Sequence, residues 1–352
     1  MIDLATTSDL GPALGVDLRA WRDAVEHGLG GAAPTREPLA SLYRGVLAHG
    51  RRFRPLLVAA AHLACGGDPA RATGLAVAVE LLHKASCIHD DVMDGDGFRR
   101  GVPTAHHTHG NAIAVVFGDY LVAAAWRELH RALAAFPADI RQRCADELAR
   151  VFVAMCEGQA EPLAAGAAAT TDAHDDAACW DRAYAKTGSL IEGALALGAL
   201  AAGAAEHHGP LPALRAIGRA AGIAFQLIND LNGLIGVEAR GGKLPCGDAI
   251  RGEPTWPLHL LQRTLAAAPT GTFDRTALDP ILDPALGPAR MRDLLHQTGV
   301  ADRVRGHVAS LLADCRRHAA EIPHAGVRML IELLATSPDS SYWSALDGIP
   351  RP

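Results

Sequence analysis

The chain is short of the residues that build sheets, covalent staples and membrane anchors. Aromatic side chains make up 5% of its 352 residues, and the apolar–polar alternation of a half-buried strand is nearly absent. The seven cysteines, Cys65, Cys87, Cys144, Cys156, Cys179, Cys246 and Cys315, are odd in number and form no Cys-x-x-Cys pair. Most lie in apolar helical runs, so buried free thiols in a reducing compartment are expected rather than a disulfide framework. Positive charge is not in excess: the net charge of −6 argues against a general affinity for nucleic acid or anionic lipid. The longest apolar run, from about Gly193 to Ala205 between Glu192 and Glu206, is too short to span a bilayer and reads as a buried helix. Met1 to Leu18 carries Asp3 and Asp9 and no basic stretch, so no signal peptide and a cytoplasmic location are expected. No fixed-period repeat and no break in composition divides the chain.

What is present is helix. Apolar residues make up 49% and charged residues 20%, with Ala and Leu, both good helix formers, abundant. The periodicity predicts helices over Pro38 to Ala48, Arg54 to Ala64 (stopped by Gly66-Gly67), Pro69 to Met93, Asn111 to Phe136 and Ala138 to Leu163. Helix is expected again over Asp175 to Ala205 and Leu211 to Gly236, with three shorter helices ending near Ala335. Ala164 to Ala173, Val237 to Pro254 and Pro269 to Pro288 read as loops. The fold class is all-α, with residues 1–340 as one helical domain and 341–352 as a loosely ordered tail.

The residues that carry chemistry lie at helix ends. Asp90 and Asp94 stand at i and i+4, so on a helix both carboxylates leave the same face. Two carboxylates one turn apart suit Mg²⁺, a hard cation that takes oxygen ligands and bridges to phosphate. Arg99 and Arg100 follow, suited to forked binding of phosphate oxygens. The bland alternative is a solvated acidic helix end and a basic loop, but acids closing an apolar helix are costly unless paired or bound to metal. Arg51, Arg52 and Arg54 form either an anion site or a solvated basic turn. Lys186 sits in a mostly apolar stretch, where a lysine is rare without a partner. Phe225-Gln226-Leu227-Ile228-Asn229-Asp230, then Gly242-Lys243 and Asp248, complete the set.

Together these pieces resemble the trans-isoprenyl diphosphate synthases, the trans-prenyltransferases of farnesyl and geranylgeranyl type, from about Leu39 to Pro257. His-Gly-Arg-Arg-Phe-Arg-Pro, His49 to Pro55, is similar to the family's Gly-Gly-Lys-Arg-Leu-Arg-Pro, and His83 through Asp94 to Arg100, Pro103-Thr104 and His106 to its first aspartate-rich region. Gly118-Asp119, Gly158-Gln159, Lys186-Thr187 and Phe225-Gln226 follow in family order. The resemblance implies an isoprenoid synthase-type helical bundle around a deep central cavity, working as a homodimer. It implies two or three Mg²⁺ ions on Asp90 and Asp94, with Asp91 near them through water and Asn229 at the third ion. Arg99, Lys186 and Lys243 would hold an allylic prenyl diphosphate. Gly50, Arg51, Arg54, His83 and Arg100 would hold isopentenyl diphosphate, Gly50 by close backbone approach, and Thr187 and Gln226 would sit beside the developing allylic cation. The activity implied is condensation of the two diphosphates to a longer trans-prenyl diphosphate.

The chain departs from this pattern in two places. The second Asp-Asp-x-x-Asp reads Asn229-Asp230-Leu231-Asn232-Gly233, which leaves Asn229 and Gly233 as the inward pair and turns Asp230 elsewhere. If the metal site is merely weak, Asn229→Asp with Gly233→Asp should raise elongation. Glu253 stands where a phosphate-binding lysine is expected before Thr255-Trp256-Pro257. Two alternatives therefore stay open: a terpene cyclase that ionises one allylic diphosphate without isopentenyl diphosphate, and a non-catalytic partner subunit. Small residues one turn before Asp90, Ala85 and Ser86, leave the cavity floor low, with Leu81, Leu82, Phe117 or Trp126 placed to close it; a C15–C20 product with C20 favoured is expected. His106, His107 and His109 read as a surface feature and Asp119 as structural.

Overall fold

A computed structural model describes residues 10–48, 50–99, 101–165, 176–235, 246–269, 272 and 287–336. The tail at 341–352 lies outside them. Two helices that periodicity did not assign open the described chain, α1 (Leu10–Leu14) and α2 (Leu18–Gly31). The Asp17 carboxylate caps α2 by accepting from the backbone N–H groups of Arg19 and Ala20 at 2.9 and 3.0 Å. Trp21, Val25 and Leu29 then recur every four residues and bury on one face.

After α3 (Leu39–Leu47) and α4 (Phe53–Ala64), a 3₁₀ turn at Pro69–Ala72 leads into α5 (Thr73–Asp94). Every residue of α5 from Leu75 to Leu82 is buried. Beyond that, burial thins to Ala85, Ile88 and Asp91, and the opposite face of the helix opens onto a cavity. Gly95, at φ +67°, adopts the left-handed conformation that ends α5 and turns the chain back. The turn feeds a two-stranded antiparallel pair, β1 (Phe98–Arg99) and β2 (Val102–Pro103), the one sheet among the described residues.

A short α6 (Ala105–His109) precedes α7 (Asn111–Leu133), which runs antiparallel along α5: Gly74 meets Ala132 at one end and Gly118 meets His89 at the other. The three histidines on α6 form no metal cluster; His106 pairs with Thr104 Oγ1 at 3.2 Å and His107 packs on the Phe98 ring. α8 (Ala138–Ala165) follows.

The helix expected over Asp175 to Ala205 is instead three pieces: α9 (Asp176–Ala183), a π turn at Tyr184–Gly188, and α10 (Ser189–Ala201). Every residue of α10 is buried, so it is the central helix, packed by α4, α8 and α11 (Leu211–Ile235). The expected loop over Val237 to Pro254 contains α12 (Gly247–Arg251). α13 (Trp256–Ala267), α14 (Gly287–Gln297), α15 (Val300–Ala319) and α16 (Ala325–Thr336) complete the chain, with α15 against the outer side of α11. One continuous apolar cluster runs through these helices. By length and composition α11 alone, among the described residues, could cross a membrane. It packs between α10 and α15 and turns Gln226, Asn229 and Asp230 to the cavity, as a core helix does. The seven cysteines are free thiols, with Cys144, Cys179, Cys246 and Cys315 buried.

Candidate active site

A cavity of about 780 Å³ lies between α5, α8, α10 and α11, and the residues singled out in the sequence gather on its wall. Of these, Arg100 and Lys243 lie outside the described residues. The others, Gly50, Arg51, Arg54, His83, Asp90, Asp91, Asp94, Arg99, Lys186, Thr187, Gln226 and Asn229, all line it.

The three arginines at the start of α4 separate into different roles. Arg51 lines the cavity, and Arg54 Nη1 lies 3.1 Å from His83 Nε2 on α5. Because the guanidinium donates, His83 accepts at Nε2 and carries its proton on Nδ1. Arg52 turns inward, 2% exposed, and donates to both Glu26 oxygens at 2.7 and 2.9 Å and to Glu80 Oε1 at 3.1 Å. Gly50 serves this fold-back. At φ +154° it leaves room for Arg52 Nη1, which a Cβ would meet at 2.3 Å. The missing Cβ thus accommodates a protein guanidinium, where close approach of a ligand had been expected.

On the other side, Asp90, Asp91 and Asp94 close α5. Arg99, delivered by the turn at Gly95, donates from Nε to Asp91 Oδ1 at 2.6 Å and from Nη2 to Asp90 Oδ2 at 3.2 Å. Lys186 Nζ reaches Asp90 Oδ1 at 3.4 Å. Burial works against the Lys186 charge, but Asp90, Glu253 and Asp94 more than offset it and hold the ammonium above the ordinary lysine range. Burial, with Asp90 beside it, pushes Asp94 up to about 6.

Lys186 reaches this position because the π turn inserts it between α9 and α10; such bulges are frequent at functional sites. Close packing fixes the turn: a Cβ at Gly158 would lie 2.6 Å from Ala185 Cβ, and one at Gly222 would lie 2.3 Å from Gly188 Cα. Tyr184, its first residue, accepts from Arg150 Nη1 at 3.2 Å and has the Arg219 guanidinium 4.1 Å above its ring.

From the same turn Thr187 donates to Gln226 Oε1 at 2.5 Å, and Gln226 Nε2 donates to Asp230 Oδ1 at 2.6 Å. Asp230, expected to turn away, lies in the cavity wall, because i and i+4 place it under Gln226; burial pushes it up to about 7. Gly233 is not simply a gap. A Cβ there would be 2.3 Å from Asp248 Oδ2, so a carboxylate from α12 occupies the space a side chain at 233 would take. Asp248 belongs to the set singled out in the sequence; Arg251, which does not, lines the cavity beside it. Its signal was present only as a charge in a Gly-rich loop, where spacing has no fixed period to follow.

The donor set fits Mg²⁺: hard carboxylate oxygens on one helix face, with Asp94 destabilised as an anion until a cation stands near. As the side chains lie, Asp90 and Asp91 are paired with Lys186 and Arg99, and no three His, Cys, Asp or Glu side chains among the described residues converge on an ion. The floor is formed by other residues than expected. Leu81, Leu82, Phe117 and Trp126 do not line the cavity, and neither does Ala85, whereas Ser86, Phe152, Met155 and Leu190 do.

Comparison with known proteins agrees with this geometry. Residues 36–270 match the family model described as polyprenyl synthetase. The chain is 35% identical over 275 residues to geranylgeranyl diphosphate synthase of Mycobacterium tuberculosis, covering 77% of this chain and 73% of that one. Among solved structures, polyprenyl synthase from Caulobacter crescentus, complexed with calcium and isoprenyl diphosphate, is similar with a TM-score of 0.77 at 27% identity, covering 92% of this chain and 95% of the other. Geranylgeranyl pyrophosphate synthase from Corynebacterium glutamicum, complexed with isoprenyl diphosphate and magnesium, is similar with a TM-score of 0.76 at 26% identity, covering 95% and 99%. With its fold and two thirds of its sequence in agreement, the chain belongs to the polyprenyl synthetase family and is a prenyltransferase.

Proposed function

We propose that the protein condenses an allylic prenyl diphosphate with isopentenyl diphosphate, in the presence of Mg²⁺, to a linear C20 product. The observation that carries this is the pairing of two polar sides in one cavity. Arg51, Arg54 and His83 line one side, and Asp90, Asp94, Arg99 and Lys186 line the other, with Thr187 and Gln226 between α10 and α11. An enzyme ionising a single diphosphate needs only the second set; the altered second aspartate motif, the feature that favours a cyclase, leaves Arg51, Arg54 and His83 in place. The two relatives whose structures contain isoprenyl diphosphate support the substrate class.

In this reading Asp90 and Asp94 hold Mg²⁺, which when bound neutralises the leaving diphosphate. Lys186 and Arg99 exchange their carboxylate partners for phosphate oxygens. The allylic C–O bond breaks and its electron pair departs with the diphosphate. The Thr187 and Gln226 oxygens face the carbocation, and the apolar wall of Phe152, Met155 and Leu190 keeps water from it. The isopentenyl double bond, held by Arg51, Arg54 and His83, forms the new carbon–carbon bond, and a proton is lost to the departed diphosphate. Asn229, which lines the same cavity, would offer a neutral oxygen to a third ion. A homodimer is the working state that the family resemblance supports, and the free thiols suit a reducing compartment such as the cytoplasm.

The test is product analysis. Protein with Mg²⁺ is given geranyl, farnesyl and geranylgeranyl diphosphate, each with and without isopentenyl diphosphate. Geranylgeranyl diphosphate forming only when isopentenyl diphosphate is present is expected. Hydrocarbon or alcohol formed without it overturns the reading.

A further inference from the structure

We propose that Arg251 is the cation that binds the diphosphate on the α11–α12 side of the cavity, in place of the lysine whose position Glu253 occupies. The assignment rests on the prenyltransferase reading above. A carboxylate at 253 repels a diphosphate, yet two residues earlier a guanidinium lines the same cavity.

The backbone makes the exchange possible. α12 is bracketed by left-handed residues, Cys246 at φ +56° and Gly252 at φ +65°. The second reverses the chain, so that the Glu253 N–H donates to Asp248 O at 2.8 Å and the side chains of 251 and 253 become neighbours. Arg251 Nε then donates to Glu253 Oε1 at 3.2 Å, and Nη2 to Asp248 Oδ1 at 2.9 Å. Nη1 lies 4.0 Å from Asp96 Oδ1, beyond hydrogen-bond length. It rests where a Cβ at Gly247 would crowd it at 2.9 Å.

This is a braced cation. A guanidinium carries five N–H donors in one plane. Two carboxylates fix that plane, and donors remain for the forked contact that phosphate oxygens accept best. Ordering the group before the ligand arrives removes part of the entropy cost of binding. The electrostatics agree in direction: Arg251 and Glu253 both act on Asp94, and Glu253 acts on Lys186, so the pair faces the metal side of the cavity. Glu253 thereby becomes a positioning residue for the cation, and the charge pattern of the loop has shifted by two positions.

The experiment uses the full chain, Mg²⁺ and inorganic pyrophosphate, with binding measured by titration calorimetry. Arg251→Gln is expected to weaken pyrophosphate binding about tenfold or more, the loss typical of one charge-assisted hydrogen bond. The same variant should raise KM for the allylic diphosphate and leave KM for isopentenyl diphosphate unchanged, a split that general misfolding does not produce. Arg251→Gln with Glu253→Lys should recover most of the affinity, and Arg251→Lys should lie between wild type and Arg251→Gln. Unchanged pyrophosphate binding in Arg251→Gln, or a double variant no better than the single, overturns the proposal. A wild-type chain that binds pyrophosphate through Arg251 yet elongates nothing would remove the proposed function and leave this assignment standing.

Discussion

Adding one methyl group at Gly233 should disturb the site from a distance. The new Cβ would stand 2.3 Å from Asp248 Oδ2, a separation real side chains do not tolerate. Asp248 has little freedom to retreat. Its other oxygen accepts from Arg251 Nη2 at 2.9 Å, and its backbone oxygen accepts from the Glu253 N–H at 2.8 Å. Overpacking of this kind costs about 1–3 kcal/mol, which for a chain of this size lowers the unfolding midpoint by roughly 1–4 °C. Displacing Asp248 also loosens Arg251, so Mg²⁺-pyrophosphate affinity should fall with it. The Asn229→Asp, Gly233→Asp double variant, which sequence pattern alone suggests should raise elongation, is now expected to lower it. It brings the same clash and sets a new carboxylate against Asp248, a repulsion of about 4 kcal/mol at 4 Å and an effective dielectric of about 20. Thermal unfolding of Gly233→Ala and product formation by the double variant test this. An unshifted midpoint, or a double variant faster than wild type with Asp248 intact, would show that Asp248 does not hold that space.

Other consequences are equally direct. Lys186→Met should lower pyrophosphate release by about two orders of magnitude, since it removes a donor aimed at departing charge; retention of a tenth of the wild-type rate would be too much. Thr187→Val removes the donor to Gln226 and should reduce turnover about tenfold, with KM for isopentenyl diphosphate little changed. Ser86→Phe should fill the cavity below Asp90 and shift the dephosphorylated product from C20 alcohol to C15, read by chromatography; an unaltered C20 profile would place the floor elsewhere. Burial pushes the Glu147 carboxyl up, but hydrogen bonds from Arg215 and Arg150 outweigh it, and its pKa lies below the ordinary 4.5. Its stabilisation is therefore complete above about pH 4.5 and lost as pH falls through the depressed value. Glu147→Gln should flatten that acid limb and cost about 1–3 kcal/mol at neutral pH, the worth of charge-assisted hydrogen bonds to arginines that keep Glu192 and Glu206 as partners, seen in denaturant titrations at several pH values.

Much of this could be read from the chain. The end of α5 was legible because apolar periodicity stops at acids and a glycine, and the same pattern placed Asp90 and Asp94 on one face. Arg54 and His83 were named for the same site and are in contact. Periodicity failed where it is short or interrupted. α1 has five residues, and in α2 the stripe of Trp21, Val25 and Leu29 is masked by the Gly and charged residues around it. A π turn changes the phase of a helix by one residue without changing its composition, so Tyr184–Gly188 looked like uninterrupted helix. The three arginines at the start of α4 are alike in sequence, and only the left-handed conformation at Arg52 turns that one inward to Glu26 and Glu80. The place of Asp230 in the cavity wall is not legible from the motif, because it depends on a side-chain bond from Gln226 one turn earlier.

The bulge at Tyr184–Gly188 also decouples two angular settings. Each residue of a regular helix advances about 100° around the axis, so one extra residue rotates all that follows relative to all that precedes. α9 can orient Arg182 toward Glu161 while α10 independently presents an entirely buried surface to α4, α8 and α11, and neither orientation limits the other. Deleting Ala185 would regularise the backbone at the expense of that independence. Either Lys186 and Thr187 would swing off the cavity wall, or α10 would roll its apolar surface out of register with α4 and α11.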